Sequence, residues 1–208
     1  MGIYRDHVLP RIVNVACGLQ EIEPLRDRTC AGLTGRVVEI GFGSGLNVPF
    51  YPTDLVSVSA VEPASLGWKL ARERLAASSV EVIQSGLDGQ RLPFEDNSFD
   101  SALSTWTLCT IPDVAAALTE VRRVLKPGGT FHFLEHGLAP DAGVQSWQHR
   151  LNPVQKTLFG GCHVNRKIDK LVRDAGFEIA ELDRFYLAGS PKYSGAAYLG
   201  MAHAPHRG

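Results

Sequence analysis

Short β-branched runs alternate with helical stripes along most of the chain. Arg36 to Ile40, Ser57 to Val61, Val80 to Gln84 and Ser101 to Ser104 read as strands, the first two apolar enough for parallel strands buried on both faces. Between the second and third, Leu66, Leu70, Ala71 and Leu75 fall on one face of a helix over residues 65–77. Val114, Leu118, Val121 and Leu125 form a second stripe, with Asp113 as its N-cap and Pro127-Gly128-Gly129 as its terminator. Thr130 to Glu135 reads as a fifth strand. Residues 139–161 then break the rhythm as a long insertion containing aromatic residues, which reads as a lid. Asn165 is placed to cap a helix carrying Ile168, Leu171, Val172 and Ala175, and Phe177 to Phe185 and Tyr193 to His203 read as two last strands. The alternation predicts an α/β fold: a Rossmann-like, doubly wound, mostly parallel seven-stranded sheet with helices on both faces, binding ligands at the carboxyl ends of its strands.

Upstream, Val8, Leu9, Ile12, Val13, Ala16 and Leu19 recur at helical spacing. This N-terminal helix is expected to pack on the body of the protein, because its polar face lacks the Lys/Arg cluster of helices that lie on membranes. The stretch from Ile12 to Leu19 is interrupted by Asn14 and preceded by Arg5, Asp6, His7 and Arg11, too short and polar for a membrane span or a signal segment. With no repeat or linker, one domain is expected over residues 1–208. It would comprise a helical cap to about 34, a cofactor-binding core over about 35–136, the insertion over about 137–165, and a closing helix and strands over about 166–208.

A net charge of -1 with 21% charged and 44% hydrophobic residues leaves neither a basic footprint for nucleic acid nor a disordered chain, so the expected partner is a small molecule. Cys17, Cys30, Cys109 and Cys162 stand far apart with no Cys-x-x-Cys, which argues against a structural zinc site and against a disulfide-stapled secreted domain. A cytoplasmic protein without a metal is the expectation.

Chemistry concentrates in Glu39-Ile40-Gly41-Phe42-Gly43-Ser44-Gly45-Leu46-Asn47, an acid at a strand end followed by alternate glycines. Glycine there lets the backbone turn sharply and approach a ligand closely. A dinucleotide fingerprint needs its third glycine three residues after the second, where Leu46 stands, so a nicotinamide cofactor is disfavoured. At the end of the second strand, Glu62 offers a carboxylate to both hydroxyls of a ribose. With no phosphate-binding Lys or Arg within the turn, a nucleoside fits better than a dinucleotide.

The order Glu-x-Gly-x-Gly-x-Gly, the acid at Glu62, Asp88 ahead of Leu92-Pro93-Phe94, Asn97-Ser98-Phe99-Asp100 and Leu125-Lys126-Pro127-Gly128-Gly129 resembles class I S-adenosylmethionine methyltransferases of the UbiE-like type, over about residues 35–136. The resemblance implies S-adenosylmethionine as cofactor, with S-adenosylhomocysteine as product. It implies that Glu39 sits near the methionine amino group, that Gly41, Phe42 and Gly43 line the cofactor with Asn47 close by, and that Glu62 holds the ribose. Pro63 would pack under the adenine, Asp88 with Leu87 beside it would accept from the adenine amino group, and Thr105 would offer its backbone to the methionine end. Asp88 could equally hold its own turn.

Thr107-Leu108-Cys109-Thr110, Phe133-Leu134-Glu135-His136 and Gly160-Gly161-Cys162-His163-Val164-Asn165-Arg166 look like methyltransferase-like proteins related to microsomal alkyl thiol S-methyltransferases. Those relatives carry an N-terminal hydrophobic membrane anchor, and its absence from this sequence leads to the expectation of a soluble enzyme. The implied acceptor is a thiol or sulfide; a quinone precursor or phenol, a lipid headgroup amine, or a nucleoside-binding module without catalysis are the alternatives. His136 and His163 are the candidate bases, each alternatively a structural residue. Trp106, Cys109, Trp147, Phe159, Cys162 and Tyr186 are candidates for the acceptor pocket.

Overall fold

The computed structural model describes residues 9–205. Helix α1 (Leu9–Cys17), a 3-10 turn (Gln20–Ile22) and α2 (Glu23–Cys30) lead into the sheet. Its strands are β1 (Arg36–Ile40), β2 (Ser57–Val61), β3 (Val82–Gly86), β4 (Phe99–Thr105), β5 (Leu125–His136), β6 (Glu178–Tyr186) and β7 (Ala196–His203). They are connected through α3 (Ser65–Ala77), α4 (Val114–Val124), α5 (Ala142–Leu158), α6 (Ile168–Asp174) and the single turn α7 (Lys192–Gly195). The strand order is β3-β2-β1-β4-β5-β7-β6. The first five strands run parallel, and β7 inserts antiparallel between β5 and β6. This is the doubly wound seven-stranded sheet that the alternation of strand and helix patterns implies.

Burial on both faces explains the apolar runs. Along β1, Val38 and Ile40 join one core with Phe99, Leu118, Phe131, Phe133 and Ile168, while Val37 joins the other with Val58, Ala60, Ala71 and Leu103. That is the period of two expected of a strand sandwiched between helix layers. Full burial of Phe99, Phe131 and Phe133 contributes about 1.5–3 kcal/mol each. Asp113 caps α4 by accepting from the Ala116 N–H at 2.9 Å, worth about 1 kcal/mol.

Several boundaries differ from expectation for local reasons. β3 starts two residues later because the Ser78 hydroxyl both donates to the Val80 carbonyl and accepts from its N–H, holding Val80 in a turn. β5 extends back to Leu125 because its register against β4 jumps from Phe99–Leu125 to Ser101–Thr130, stepping over Pro127-Gly128-Gly129. Asn165 does not cap α6. Its side chain lies 3.1 Å from His149 Nδ1, and the residue before α6, Lys167, makes no side-chain cap. Tyr193 belongs to α7 rather than to the last strand.

The insertion is a docked helix. Gln148 of α5 is fully buried, its Oε1 accepting from the Ala139 N–H and its Nε2 donating to the carbonyls of Gly137 and Val164, which fastens α5 across the end of β5. Of the N-terminal stripe, Val8 lies outside the described residues. Ile12 and Leu19 stay 41% and 51% exposed at the rim of a cavity instead of packing fully on the body. Among the described residues no helix is long and apolar enough to cross a membrane. Strand order reverses between β1 and β4, so a crevice opens at their carboxyl ends.

Candidate functional site

That crevice is a cavity of about 500 Å³. Its floor is the turn after β1, where Gly41 and Gly43 have φ of +74° and +57°. A side chain at Gly41 would collide with Thr107, whereas a Cβ at Gly43 would come no nearer than 3.9 Å to any atom and would point into open space. Glycine at 43 therefore leaves the room a ligand needs. Glu62, at the end of β2, closes the turn: its Oε2 accepts from the Gly43 N–H and its Oε1 from the Ala64 N–H, both at 2.8 Å. Burial pushes its carboxyl up from the ordinary value, and the two backbone donors oppose that shift. Each oxygen keeps a further acceptor site for a ligand hydroxyl.

Beside the turn runs a buried polar chain. Arg26 of α2 is 3% exposed and donates to Asn47 Oδ1 at 2.6 Å and to Thr105 Oγ1 at 3.2 Å; through Nη2 it reaches the carbonyl of Cys17 and so holds the end of α1. Asn47 Nδ2 donates to Thr105 Oγ1 at 2.9 Å and to Glu39 Oε1 at 2.8 Å, and Tyr51 donates to the other oxygen of Glu39. Burial pushes Glu39 up to about 7, against the hydrogen bonds of Tyr51 and Asn47. Burial likewise lowers Arg26, an effect that its neighbouring anions oppose.

The cavity wall includes Gly41, Phe42, Gly43, Asn47, Glu62, Pro63, Leu87, Asp88 and Thr105. Three details depart from expectation. Glu39 is not on the wall; it lies wholly buried behind Asn47, whose amide it holds by accepting from Nδ2. Asp88 Oδ1 accepts from both the backbone and the side chain of Gln90, the alternative in which it holds its own turn. The Thr105 carbonyl accepts from the Thr107 hydroxyl. Arg26 was not apparent from the sequence, where nothing distinguishes it from a solvated helix arginine.

A second cavity of about 890 Å³ adjoins the first, and Cys17, Trp106, Thr110 and Phe159 belong to both walls. Trp106 adopts φ +55°, unfavourable for a residue with a side chain. Its ring lies 4.3 Å, centroid to centroid, from that of His136, and among the described residues its indole N–H has no hydrogen-bond partner. Backbone strain held at such a boundary is characteristic of functional sites.

The turn after Trp106 is organised by Glu135, fully buried at the end of β5. It accepts from the Ser104 hydroxyl at 2.7 Å and from the backbone N–H groups of Thr107, Leu108 and Cys109 at 3.0–3.2 Å. Burial raises its carboxyl pKa and these four donors resist the rise. Sequence reading passed over this residue as one letter of a motif. The turn in turn sets Cys109, whose sulfur lies 3.5 Å from that of Cys162, with His136 Nδ1 3.9 Å from Cys162. The hydrogen bond between the two sulfurs pulls the Cys162 thiol down from its ordinary value and pushes that of Cys109 well up.

Cys109, His136, Phe159 and Cys162 line this second cavity. Trp106 joins them, whereas His163, Trp147 and Tyr186 are not on the wall. The Nδ1 of His163 donates to the Cys109 carbonyl at 3.2 Å and so braces the turn. Trp147 is 57% exposed beneath the guanidinium of Arg150. The Tyr186 hydroxyl donates to Asp141 at 2.5 Å, and Tyr193 of α7 takes a place on the wall instead. Neither Trp147 nor Tyr186 is on the wall of either cavity, because ring placement follows tertiary packing rather than sequence neighbourhood.

Comparison with known proteins gives a consistent picture. Residues 38–133 match a methyltransferase domain family. Thiol S-methyltransferase TMT1A of Homo sapiens is 30% identical, covering 86% of this chain and 72% of that protein. Thiol S-methyltransferase TMT1B of Rattus norvegicus is 33% identical over 71% of this chain, which spans 62% of that relative's length. Phosphatidylethanolamine N-methyltransferase of Cereibacter sphaeroides is 26% identical over 76% of this chain and 79% of its own. Among solved structures, a SAM-dependent methyltransferase from Thermotoga maritima, described as a possible histamine N-methyltransferase, superposes with a TM-score of 0.68 at 23% identity, covering 97% of this chain and 98% of that one.

Proposed function

Because the chain belongs to the S-adenosylmethionine-dependent methyltransferase family, we propose that it methylates the sulfur of a small thiol or of sulfide. The first cavity fits the nucleoside on its own evidence. The space over Gly43 would be filled by any side chain, and Glu62 presents two acceptors to a vicinal diol. When bound, S-adenosylmethionine supplies a methyl group on a positively charged sulfur.

Around it, Glu62 would accept from the ribose hydroxyls, Pro63 would pack under the base, and Arg26 would pair with the carboxylate of the methionine end while Glu39 holds Asn47 in place. Leu87 and Asp88 would flank the adenine edge. Trp106 and Phe159, shared by both walls, would hold the acceptor against the methyl and exclude water. Orientation of this kind supplies much of the rate without a covalent intermediate.

The observation that carries the thiol reading is the adjoining cavity, which reaches the first across Trp106 and whose wall carries, among the described residues, one histidine, His136, beside Cys109 and Cys162. A thiol needs no strong base, since a pKa of about 8.5 leaves a few per cent as the nucleophilic thiolate at neutral pH. The names of the human and rat relatives agree. The Cereibacter sphaeroides relative favours an amine as the second reading.

A methyl-transfer assay across sulfide, alkyl thiols, phenols, quinols and amines, reading both S-adenosylhomocysteine and methylated product, tests the proposal. Thiols should turn over, with rates rising as pH passes through each acceptor's own pKa. Turnover of phenols, quinols or amines alone would refute the S-methyl assignment. Tight nucleoside binding with silence across the panel would turn the reading to a binding module.

A further inference from the structure

Cys109, His136 and Cys162 each offer a ligand atom, and these atoms all lie within 4.8 Å of one another. The Sγ–Sγ separation is 3.5 Å and Sγ of Cys162 to Nδ1 of His136 is 3.9 Å. A tetrahedral zinc ion with Zn–S of about 2.3 Å and Zn–N of about 2.0–2.1 Å requires edges of roughly 3.8 and 3.5 Å respectively. The two measured edges depart from these by only a few tenths of an ångström, within the reach of small side-chain rotations. We propose that Cys109, His136 and Cys162 form a site for a thiophilic divalent cation, Zn²⁺, with its fourth position open to the second cavity.

Three observations support the site. Two sulfurs and an imidazole are the donor set that selects zinc among divalent ions, and three protein ligands with an open fourth place is the arrangement of reactive rather than structural zinc. The ligands are held from behind: three backbone hydrogen bonds to Glu135 fix the turn that carries Cys109, Trp106 lies against the His136 ring, and the Cys162 N–H donates to the Phe159 carbonyl. Such outer-sphere support is what a metal site needs to keep its geometry. Finally, all three ligands line the cavity, so the vacant direction faces the place where an acceptor would sit. Two thiolates neutralise the dication, and each thiol releases its proton to solvent on binding.

A small thiol entering the fourth position would lose its proton to solvent and be held as a thiolate, sulfur first. That part rests on the S-methyltransferase reading; the three-ligand site does not. The ligands are 27 and 26 residues apart in sequence, so no spacing motif announces them.

The test is anaerobic titration of the reduced, metal-free protein with Co²⁺ and then Zn²⁺. The expected result is one equivalent of Co²⁺ giving thiolate-to-metal charge-transfer bands and tetrahedral d–d absorption, displaced by Zn²⁺. Cys109→Ser and Cys162→Ser should each weaken binding by more than the roughly 10–100-fold that loss of an outer-sphere partner costs, and His136→Ala should do likewise. Cys30→Ser, in the core away from the cavity, should leave the spectrum unchanged. S-adenosylhomocysteine affinity reports that each variant is folded. Ethanethiol should alter the d–d bands of the Co²⁺ protein. Absence of a one-to-one complex, or bands that survive in both Cys109→Ser and Cys162→Ser, overturns the site, and unchanged bands with ethanethiol overturn the open position. Metal uptake without thiol methylation leaves the site standing and removes the function proposed above; full thiol methylation by protein that takes up no metal does the reverse.

Discussion

Replacing Gly43 by alanine places one methyl group in the wall of the first cavity. With φ at +57°, the substitution costs about 1–2 kcal/mol of backbone energy. It adds no clash in the empty protein, because the new carbon would be 3.9 Å from its nearest neighbour. For a chain of this size each kcal/mol lowers Tm by about 2–4 °C, so the variant should melt a few degrees early and remain folded. Against a nucleoside resting on the turn, the same methyl acts as overpacking, which costs about 1–3 kcal/mol, or roughly a 5–150-fold loss of affinity. Gly41→Ala is the contrast: its side chain would strike Thr107, so stability should fall further and binding with it. Scanning calorimetry of the ligand-free proteins and titration with S-adenosylhomocysteine separate the two effects. A Gly43→Ala protein that melts slightly early yet binds S-adenosylhomocysteine unchanged would refute the placement of the nucleoside over this turn.

Glu62→Ala should weaken S-adenosylhomocysteine by about 1.5–3 kcal/mol, the scale of hydrogen bonds to a charged group, and an unchanged calorimetric Kd in a folded variant would move the ribose elsewhere. Glu135→Gln sets an amide N–H₂ among four donors and should cost about 1–3 kcal/mol. A melting curve identical to that of the parent would show that the carboxylate does not organise the turn. Burial pulls buried His132 down to about 4, below its ordinary 6.5, so the unfolded chain takes up a proton first as pH falls. The His132 contribution to stability should therefore decline between about pH 6.5 and 4, by about 3 kcal/mol at most, while the raised carboxyl of Glu39 contributes in the opposite sense over the same range. Urea unfolding of the parent and of His132→Leu across that range isolates the term: the stability of the parent relative to the variant should fall as pH falls, and parallel curves would remove His132 as a contributor.

The sequence by itself determined what depends on near neighbours. The β-branched runs and helical stripes specify strands and helices because burial of one or both faces imposes periods of 2 and 3.6 residues, and Asp113 reads as a cap because the N–H it satisfies is three residues away. The turn after β1 and Glu62 are legible for the same reason: glycine spacing and the acid at a strand end act within about twenty residues, and the parallel pairing of β1 with β2 brings them together.

What only the tertiary structure decided depends on pairs far apart in the chain. Arg26 gains its place from Thr105, 79 residues away, and Cys109 meets Cys162 across 53. Glu135 reaches the turn of Thr107 to Cys109 only because β5 lies beside β4. Tertiary placement also decides which candidates reach the cavity: Trp147, Tyr186 and His163 lie off its wall, in contact with Arg150, Asp141 and the Cys109 carbonyl. Asn165, a good capping residue, spends its amide on His149. Local pattern decides which residues bear chemistry and which element carries them. Where their side chains meet is settled by packing, because the free energy of each contact depends on what the fold has already removed from water.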